Sequence, residues 1–205
     1  MQSNFIQIAK LRHSVYHLGK NVKFSQKEII NLIENAIKVA PTPFNNQTVR
    51  AVILMGGYQG QVWQLIGQNV KQLVGSAKYQ QVAAPKIHSF SQGYATVLFY
   101  TDTDIVKKTA KQVPGFPAHN FTEWSEQAQG NAQYSVWTAL AEQKLGASIH
   151  HYSALFGQQV ADALAKKFQV PKSWRLRTEM VLGSIEKPVQ AKPLINDDQK
   201  FKVLK

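Results

Sequence analysis

The 205-residue chain contains no cysteine, which excludes disulfides, thiolate nucleophiles, cysteine-ligated zinc and ordinary iron–sulfur clusters together. Acids are scarce, 12 against 24 lysines and arginines for a net charge of +12. Between Glu34 and Asp102 there is none, although Lys38, Arg50, Lys71, Lys78 and Lys86 all lie inside. Such a field suits a small anionic ligand, and a basic protein can also acquire one by chance. No apolar run approaches the roughly 20 residues that span a bilayer, and "MQSNFIQIAKLRHS" mixes polar with apolar residues. The reading is a soluble, cytoplasmic protein with no membrane partner. The cations do not gather into an arginine-rich arm or an aromatic-interleaved motif; their tightest groups are "VKKTAK", "AKKFQVPKSWRLR" and the tail. No nucleic-acid partner is expected. A composition 44% hydrophobic and 10% aromatic supplies a full core for one domain with extensions.

Residues 4–12 read as a short amphipathic helix with Phe5 and Ile8 on one face. Ser25 and Glu28 have the spacing of a capping box, and Ile29, Ile30, Ile33, Ala36, Ile37 and Ala40 then repeat at helical spacing until Pro41 stops the helix. "RAVILMGG" (50–57) is a continuous apolar run ended by glycines, as expected for a central strand. Val62, Leu65, Ile66, Val70, Leu73 and Val74 mark a helix, "YATVLFYT" (94–101) a second buried strand, and "DTDIVKKTAKQV" a capped short helix. After the proline-stiffened loop "PGFPAHNF" (114–121), a long helix covers about 122–145, its alanines suited to close packing, with Gly146 as its end. "ASIHHY" is extended, Ser153 is placed to cap a helix through Phe168, and "WRLRTEMVLG" (174–183) alternates as a third strand. The last 20 residues carry two prolines and no helical period. A tail of that kind is disordered or laid on a partner subunit, and the alternation of Phe201 and Val203 favours the second.

Several familiar chemistries fail on spacing. Gly56, Gly57 and Gly60 do not fit G-x-G-x-x-G, and no acid follows about 20 residues later to hold a ribose. His13 and His17, like the adjacent His150 and His151, lack a third ligand in pattern, so no metal is expected. No serine stands in the G-x-S-x-G form. Arg12, His13 and Ser14 put a guanidinium, an imidazole and a hydroxyl at a helix end, either as a phosphate grip or as an ordinary terminus. Asn45, Asn46 and Gln47, behind Pro41 and Pro43, could match a heterocycle edge of alternating donors and acceptors, or form a polar turn.

Taken in order, "RHS" at 12–14, "APTPFNNQ" at 40–47, "FSQGYATVLFY" at 90–100, "GASIHHY" at 146–152 and "VPKSWRLRTEMVLG" at 170–183 resemble the nitroreductase family of FMN-dependent oxidoreductases over nearly the whole chain. The similarity is greatest to its short, fatty-acid-repression-type subgroup. That resemblance implies an α+β fold, a mostly antiparallel central sheet flanked by helices, in an intertwined homodimer with exchanged C-terminal arms. Residues 1–185 would form the FMN-binding domain and 186–205 an arm packing on the partner subunit. It also implies FMN at the dimer interface, NAD(P)H as electron donor, and ping-pong reduction of small aromatic acceptors, nitroaromatics or quinones. A flavin-binding regulatory or stress protein with little turnover is the alternative.

By the same resemblance, Arg12 and Ser14 would hold the phosphate and ribityl chain, and His13 would approach the pyrimidine side or the ribityl. Pro43, Asn45 and Gln47 of the other subunit would line the ring, the His151–Tyr152 backbone would sit near its reactive nitrogen, and Lys192 would be a second phosphate cation. No side chain is required as a catalytic acid or base. Three departures stand out. After Tyr152 the subgroup usually carries Asn-Pro-Leu-Ile-Asp, whereas this chain has Ser153-Ala154-Leu155-Phe156-Gly157, which bears on the contour of the substrate pocket. Leu182 stands where Phe is commoner, and Lys187 and Lys200 compete with Lys192 for the phosphate role.

Overall fold

In this computed structural model, which describes residues 3–190 and 192–204, helix α1 (Asn4–Leu11) and the two-residue strand β1 (Leu18–Gly19) precede helix α2 (Gln26–Lys38). The capping box closes in both directions. Ser25 Oγ accepts the Glu28 N–H at 3.3 Å, and Glu28 Oε2 accepts the Ser25 N–H at 2.8 Å. These bonds satisfy backbone donors that a helix start leaves orphaned. Ser25→Ala is therefore expected to cost about 1 kcal/mol, measured as a lower urea midpoint; an unchanged midpoint would show the cap to be dispensable.

A 3-10 turn (Pro43–Asn45) leads into strand β2 (Val49–Met55), then helix α3 (Gly57–Val74). Helix α4 (Ser76–Lys78), a π-turn (Tyr79–Ala83) and helix α5 (Ala84–Ser91) follow without a break, a helical run that the sequence pattern does not announce. Pro85 interrupts the pattern, yet it falls in the first turn of α5, where its missing N–H costs least. Strand β3 (Ala95–Asp102), helix α6 (Thr103–Gln112), the long helix α7 (Ala118–Glu142), strand β4 (Gly146–His150), helices α8 (Tyr152–Phe156) and α9 (Gln158–Lys167), strand β5 (Trp174–Ile185) and the one-turn α10 (Asp197–Lys200) complete the order. Among the described residues, no helix is long and apolar enough to cross a membrane.

The five strands make one antiparallel sheet in the order β1-β5-β3-β2, with β4 also paired to β5. Every residue of β3 is buried. Its alternate side chains reach opposite faces: Leu98 and Tyr100 join Trp63 and Ile66 of α3, Val160 and Leu164 of α9, and Val181 of β5. Val97 and Phe99 join Ile29 and Ile33 of α2, Ala128, Ala132 and Val136 of α7, and Met180 of β5. Helices thus cover both faces, the α+β architecture expected, and small alanines let α7 lie close. Trp63 Nε1 donates to Thr96 Oγ1 at 2.9 Å, Thr96 Oγ1 donates to Gln59 Oε1 at 2.6 Å, and Gln59 Nε2 donates to the Phe90 carbonyl at 2.9 Å. This buried polar chain ties α3 to β3 and α5 without leaving a group unpaired.

Two local expectations change. Gly146 does not end α7; the helix stops at Glu142, Lys144 takes the left-handed turn at φ 59°, and Gly146 begins β4. Its lack of a side chain answers a close approach, since a Cβ there would lie 2.8 Å from Leu18 Cδ2 and 3.0 Å from Val15 Cβ. Ser153 lies inside α8 rather than capping one helix through Phe168, because Gly157 at φ 79° divides that stretch in two. Among the described residues, the "FKVL" segment pairs with no strand of its own chain and α10 is the one regular element beyond β5, with Leu194, Phe201, Val203 and Leu204 exposed.

Candidate functional site

The segment after α1 is fastened to the outer edge of β4. Ser14 bridges Ala147 in parallel, and the Val15 N–H donates to the Ala147 carbonyl at 3.0 Å. Trp137 of α7 donates its Nε1–H to the His13 carbonyl at 3.1 Å, and the Arg12 guanidinium lies over the same indole, 4.4 Å from its centroid. Among the described residues, no carboxylate pairs with Arg12. Its fork is therefore oriented by stacking while its donors stay available. Since β4 runs directly into His151 and Tyr152, the structure brings Arg12, His13 and Ser14 to the same edge as His151 and Tyr152.

Beside that edge lies a cavity of about 630 Å³ whose walls include Tyr16, Lys86, Phe90, His150, Tyr152 and Leu155. The His150 ring sits 3.8 Å from the Phe90 centroid, and its Nε2 is 2.9 Å from Ser148 Oγ. Burial, with lesser contributions from His151 and Lys86, pushes its pKa down to about 4. His150 is thus a neutral wall of the cavity at physiological pH. Among the described residues, no cluster of three or more His, Cys, Asp or Glu could hold a metal. The Tyr152 ring turns into the core, 5.7 Å from Trp63 and stacked at 5.7 Å on Phe156, and burial raises its hydroxyl to about 12.

Glu179, which motif reasoning did not single out, stands behind this edge. It is fully buried in the middle of β5, opposite His150 on β4 and Leu98 on β3. Its Oε2 accepts the Tyr152 N–H at 2.9 Å and its Oε1 the Ser153 N–H at 3.3 Å. Burial pushes this carboxyl up to about 7 despite those bonds. The sequence offers only a weak signal, a lone acid within the apolar stretch "RTEMVLG"; its burial follows from the strands on either side of β5.

The amide loop is stiffened by backbone strain as well as by proline. Phe44, Asn45 and Gln47 all have left-handed φ, at 52°, 49° and 50°, each costing on the order of 1 kcal/mol or more for a residue other than glycine. Gln47 N–H donates to Thr42 Oγ1 at 3.0 Å, Arg50 Nη1 donates to the Gln47 carbonyl at 2.6 Å, and the Phe44 ring packs 5.8 Å from Trp124. Pro43 and Phe44 thereby line a cavity against Trp124, Ala128 and Asn131 in the first half of α7, with Asn45 and Gln47 following in the same strained loop, while the Asn46 amide is buried with neither atom bonded among the described residues. From Trp124 to Trp137 the helix rises about 20 Å, so one chain holds the loop and Arg12 at separate places. The cavity beside the loop and the cavity beside Tyr152 share no residue. Lys192 lies exposed between β5 and α10, outside any ion pair among the described residues.

Residues 9–184 match the profile of the nitroreductase family. The chain belongs to that family. This nitroreductase-family chain is accordingly an oxidoreductase of the flavoprotein kind. The Lactococcus lactis nitroreductase CinD, solved in complex with chloramphenicol, is 36% identical and superposes with a TM-score of 0.87 over 98% of this chain and 100% of its own. The same enzyme has been solved with 4-nitrophenol, at a TM-score of 0.86. The nitroreductase FRM2 of Saccharomyces cerevisiae is 25% identical over 196 residues, 95% of this chain and 94% of that relative. An FMN-bound nitroreductase of Desulfitobacterium hafniense shares the fold, with a TM-score of 0.70 at 13% identity over all of both chains.

Proposed function

We infer that the protein is an FMN-dependent NAD(P)H oxidoreductase, active as a homodimer, that reduces nitroaromatic or quinone-type acceptors in a ping-pong cycle. The observation that carries this reading is the unpaired Arg12 fork stacked on Trp137 beside the β4 edge that ends in His151 and Tyr152. The donor set suits FMN. Arg12 offers a bidentate grip to a phosphate and Ser14 a hydroxyl within two residues, and the adjoining cavity has apolar walls with Lys86 at its side.

When bound, FMN supplies the hydride-accepting and hydride-donating ring. The protein's part is to bind, orient and exclude water. Arg12, Ser14 and Lys192 would hold the phosphate end, His13 the ribityl or pyrimidine side, and the turn at His151 the reactive edge. Tyr152 N–H is committed to Glu179, so within that turn His151 is the residue whose N–H the carboxylate leaves free. Pro43, Asn45 and Gln47 would close the site from a second copy, a role in keeping with a strained loop that one chain holds apart from the cavity beside its own Tyr152. Nicotinamide and acceptor would take turns in the cavity beside Tyr152. CinD's complexes with chloramphenicol and 4-nitrophenol are in keeping with an acceptor of that shape.

The decisive test is the absorbance spectrum of the purified protein, before and after addition of FMN, NADH and NADPH. A yellow protein bleached by a nicotinamide and recoloured by a nitroarene or quinone is expected; a colourless protein after FMN addition would refute the reading. FMN binding without turnover would favour the regulatory alternative. Arg12→Ala is expected to weaken FMN binding about 10- to 100-fold, the equivalent of one lost charge-assisted contact, as titrated by quenching of flavin fluorescence. An unchanged affinity would remove Arg12 from the phosphate site.

A further inference from the structure

A buried carboxylate needs a reason. Glu179 has no exposed surface, and among the described residues no Lys, Arg or His forms an ion pair with it. Ionised acids in such places are normally paired with a cation or metal, because desolvation is costly. Here the compensation comes from two backbone N–H groups, those of Tyr152 and Ser153, at 2.9 Å and 3.3 Å. Both belong to the turn that follows β4, and the bonds cross from the middle of β5 to fix where that turn sits.

We propose that Glu179 is the positioning residue of the redox site: its carboxylate holds the His151–Tyr152–Ser153 turn in place by accepting two of its N–H groups, and its charge lowers the reduction potential of the flavin beside that turn. This rests on the reading that FMN binds against His151 and Tyr152. A negative charge fixed close by in a poorly solvated interior opposes the arrival of electrons. The same charge pins the geometry, because a protonated carboxyl accepts less strongly and carries a proton of its own.

The titratable groups facing Glu179 are Tyr100 from β3, Tyr152 from α8 and His150 opposite it on β4. Tyr79 acts on Tyr152, and His151 and Lys86 act on His150. Burial raises the Tyr100 hydroxyl beyond the usual range, holds Tyr152 at about 12 and keeps His150 down at about 4. Between pH 5.5 and 8.5, the one of these four that changes charge is Glu179, at about 7. The flavin potential should record that change.

The experiment is a spectroelectrochemical titration of the FMN-loaded protein and its Glu179→Gln variant at intervals from pH 5.5 to 8.5. The wild type is expected to show an extra inflection near pH 7. The variant is expected to lose it and to have a higher midpoint potential at pH 8.5, the difference vanishing toward pH 5.5. Should the variant not fold, because its amide N–H₂ faces a backbone N–H, the wild-type inflection alone decides. Bound FMN with a featureless wild-type profile, or with equal potentials at pH 8.5, would overturn the inference and leave the flavoprotein reading intact. A protein that takes up no FMN would overturn both.

Discussion

A chain ending at Lys187 is expected to elute as a monomer and to bind FMN at least about 100-fold more weakly than the full protein, the equivalent of losing one or two charge-assisted contacts to a phosphate. The cut spares the Glu186 N–H that donates to the His17 carbonyl at 3.0 Å, so the sheet itself should survive. What it removes is a segment with no interior of its own. Leu194 is 86% exposed, Val203 72% and Leu204 84%, large apolar side chains that a partner surface would take out of water. Among the described residues, strand β2 pairs with β3 alone, leaving a row of backbone donors and acceptors open on its other side. An alternating segment such as "FKVL" can add to an open edge of that kind, and in a homodimer the edge available is the partner's. Lys192 would leave with the arm, and the amide loop of the second copy would leave with the dimer. Size-exclusion chromatography with absorbance at the flavin band checks both outcomes at once. A truncated chain that remained dimeric with full FMN content would refute the assignment of the arm.

Where a feature depends on residues close together in the chain, the sequence declared it. The Ser25–Glu28 box and Asp102, whose carboxylate accepts the Asp104 and Ile105 N–H groups at the start of α6, satisfy local backbone needs, and the β3 run shows its burial in its own largely apolar composition. Features that depend on neighbours distant in sequence were hidden. Gly146 looked like a helix end because glycine is common there; its real constraint is the approach of Leu18 and Ile185, each far away along the chain. The helical run across Tyr79–Ser91 was masked by Pro85, since sequence alone does not reveal that the proline falls in a first turn. The site divides in the same way. Arg12, His13 and Ser14 announced themselves as a cluster, whereas Glu179 is one acid in a strand until β4 and α8 fold against it. The bulge opposite Phe99 and Tyr100, which leaves Arg177 unpaired in the sheet and turns it toward Glu126 of α7, is equally invisible without the register.

Glu179 and His150 face each other across β5 and β4, and burial shifts them in opposite directions, with a consequence for stability against pH. Glu179 goes from 4.5 to about 7 on folding. Between those values the folded protein holds a proton that the unfolded chain has released, so this group destabilises the fold as pH rises from 4.5 to 7. His150 goes from 6.5 to about 4. Between those values the unfolded chain holds the extra proton, so this group stabilises the fold as pH rises from 4 to 6.5. Each contribution is worth about 3 kcal/mol across its range, at 1.36 kcal/mol per pKa unit, and between pH 4.5 and 6.5 the two slopes cancel. Removing one partner should expose the other. Relative to wild type, Glu179→Gln should become more stable by about 3 kcal/mol as pH rises from 4.5 to 6.5. His150→Phe, which preserves the aromatic contact with Phe90, should lose about as much over the same interval. Urea midpoints in half-unit pH steps would measure all three profiles on FMN-free protein. Parallel curves for wild type and both variants would mean that neither group carries its proton differently in the folded state, and that the two N–H groups fully offset the burial of the Glu179 carboxylate.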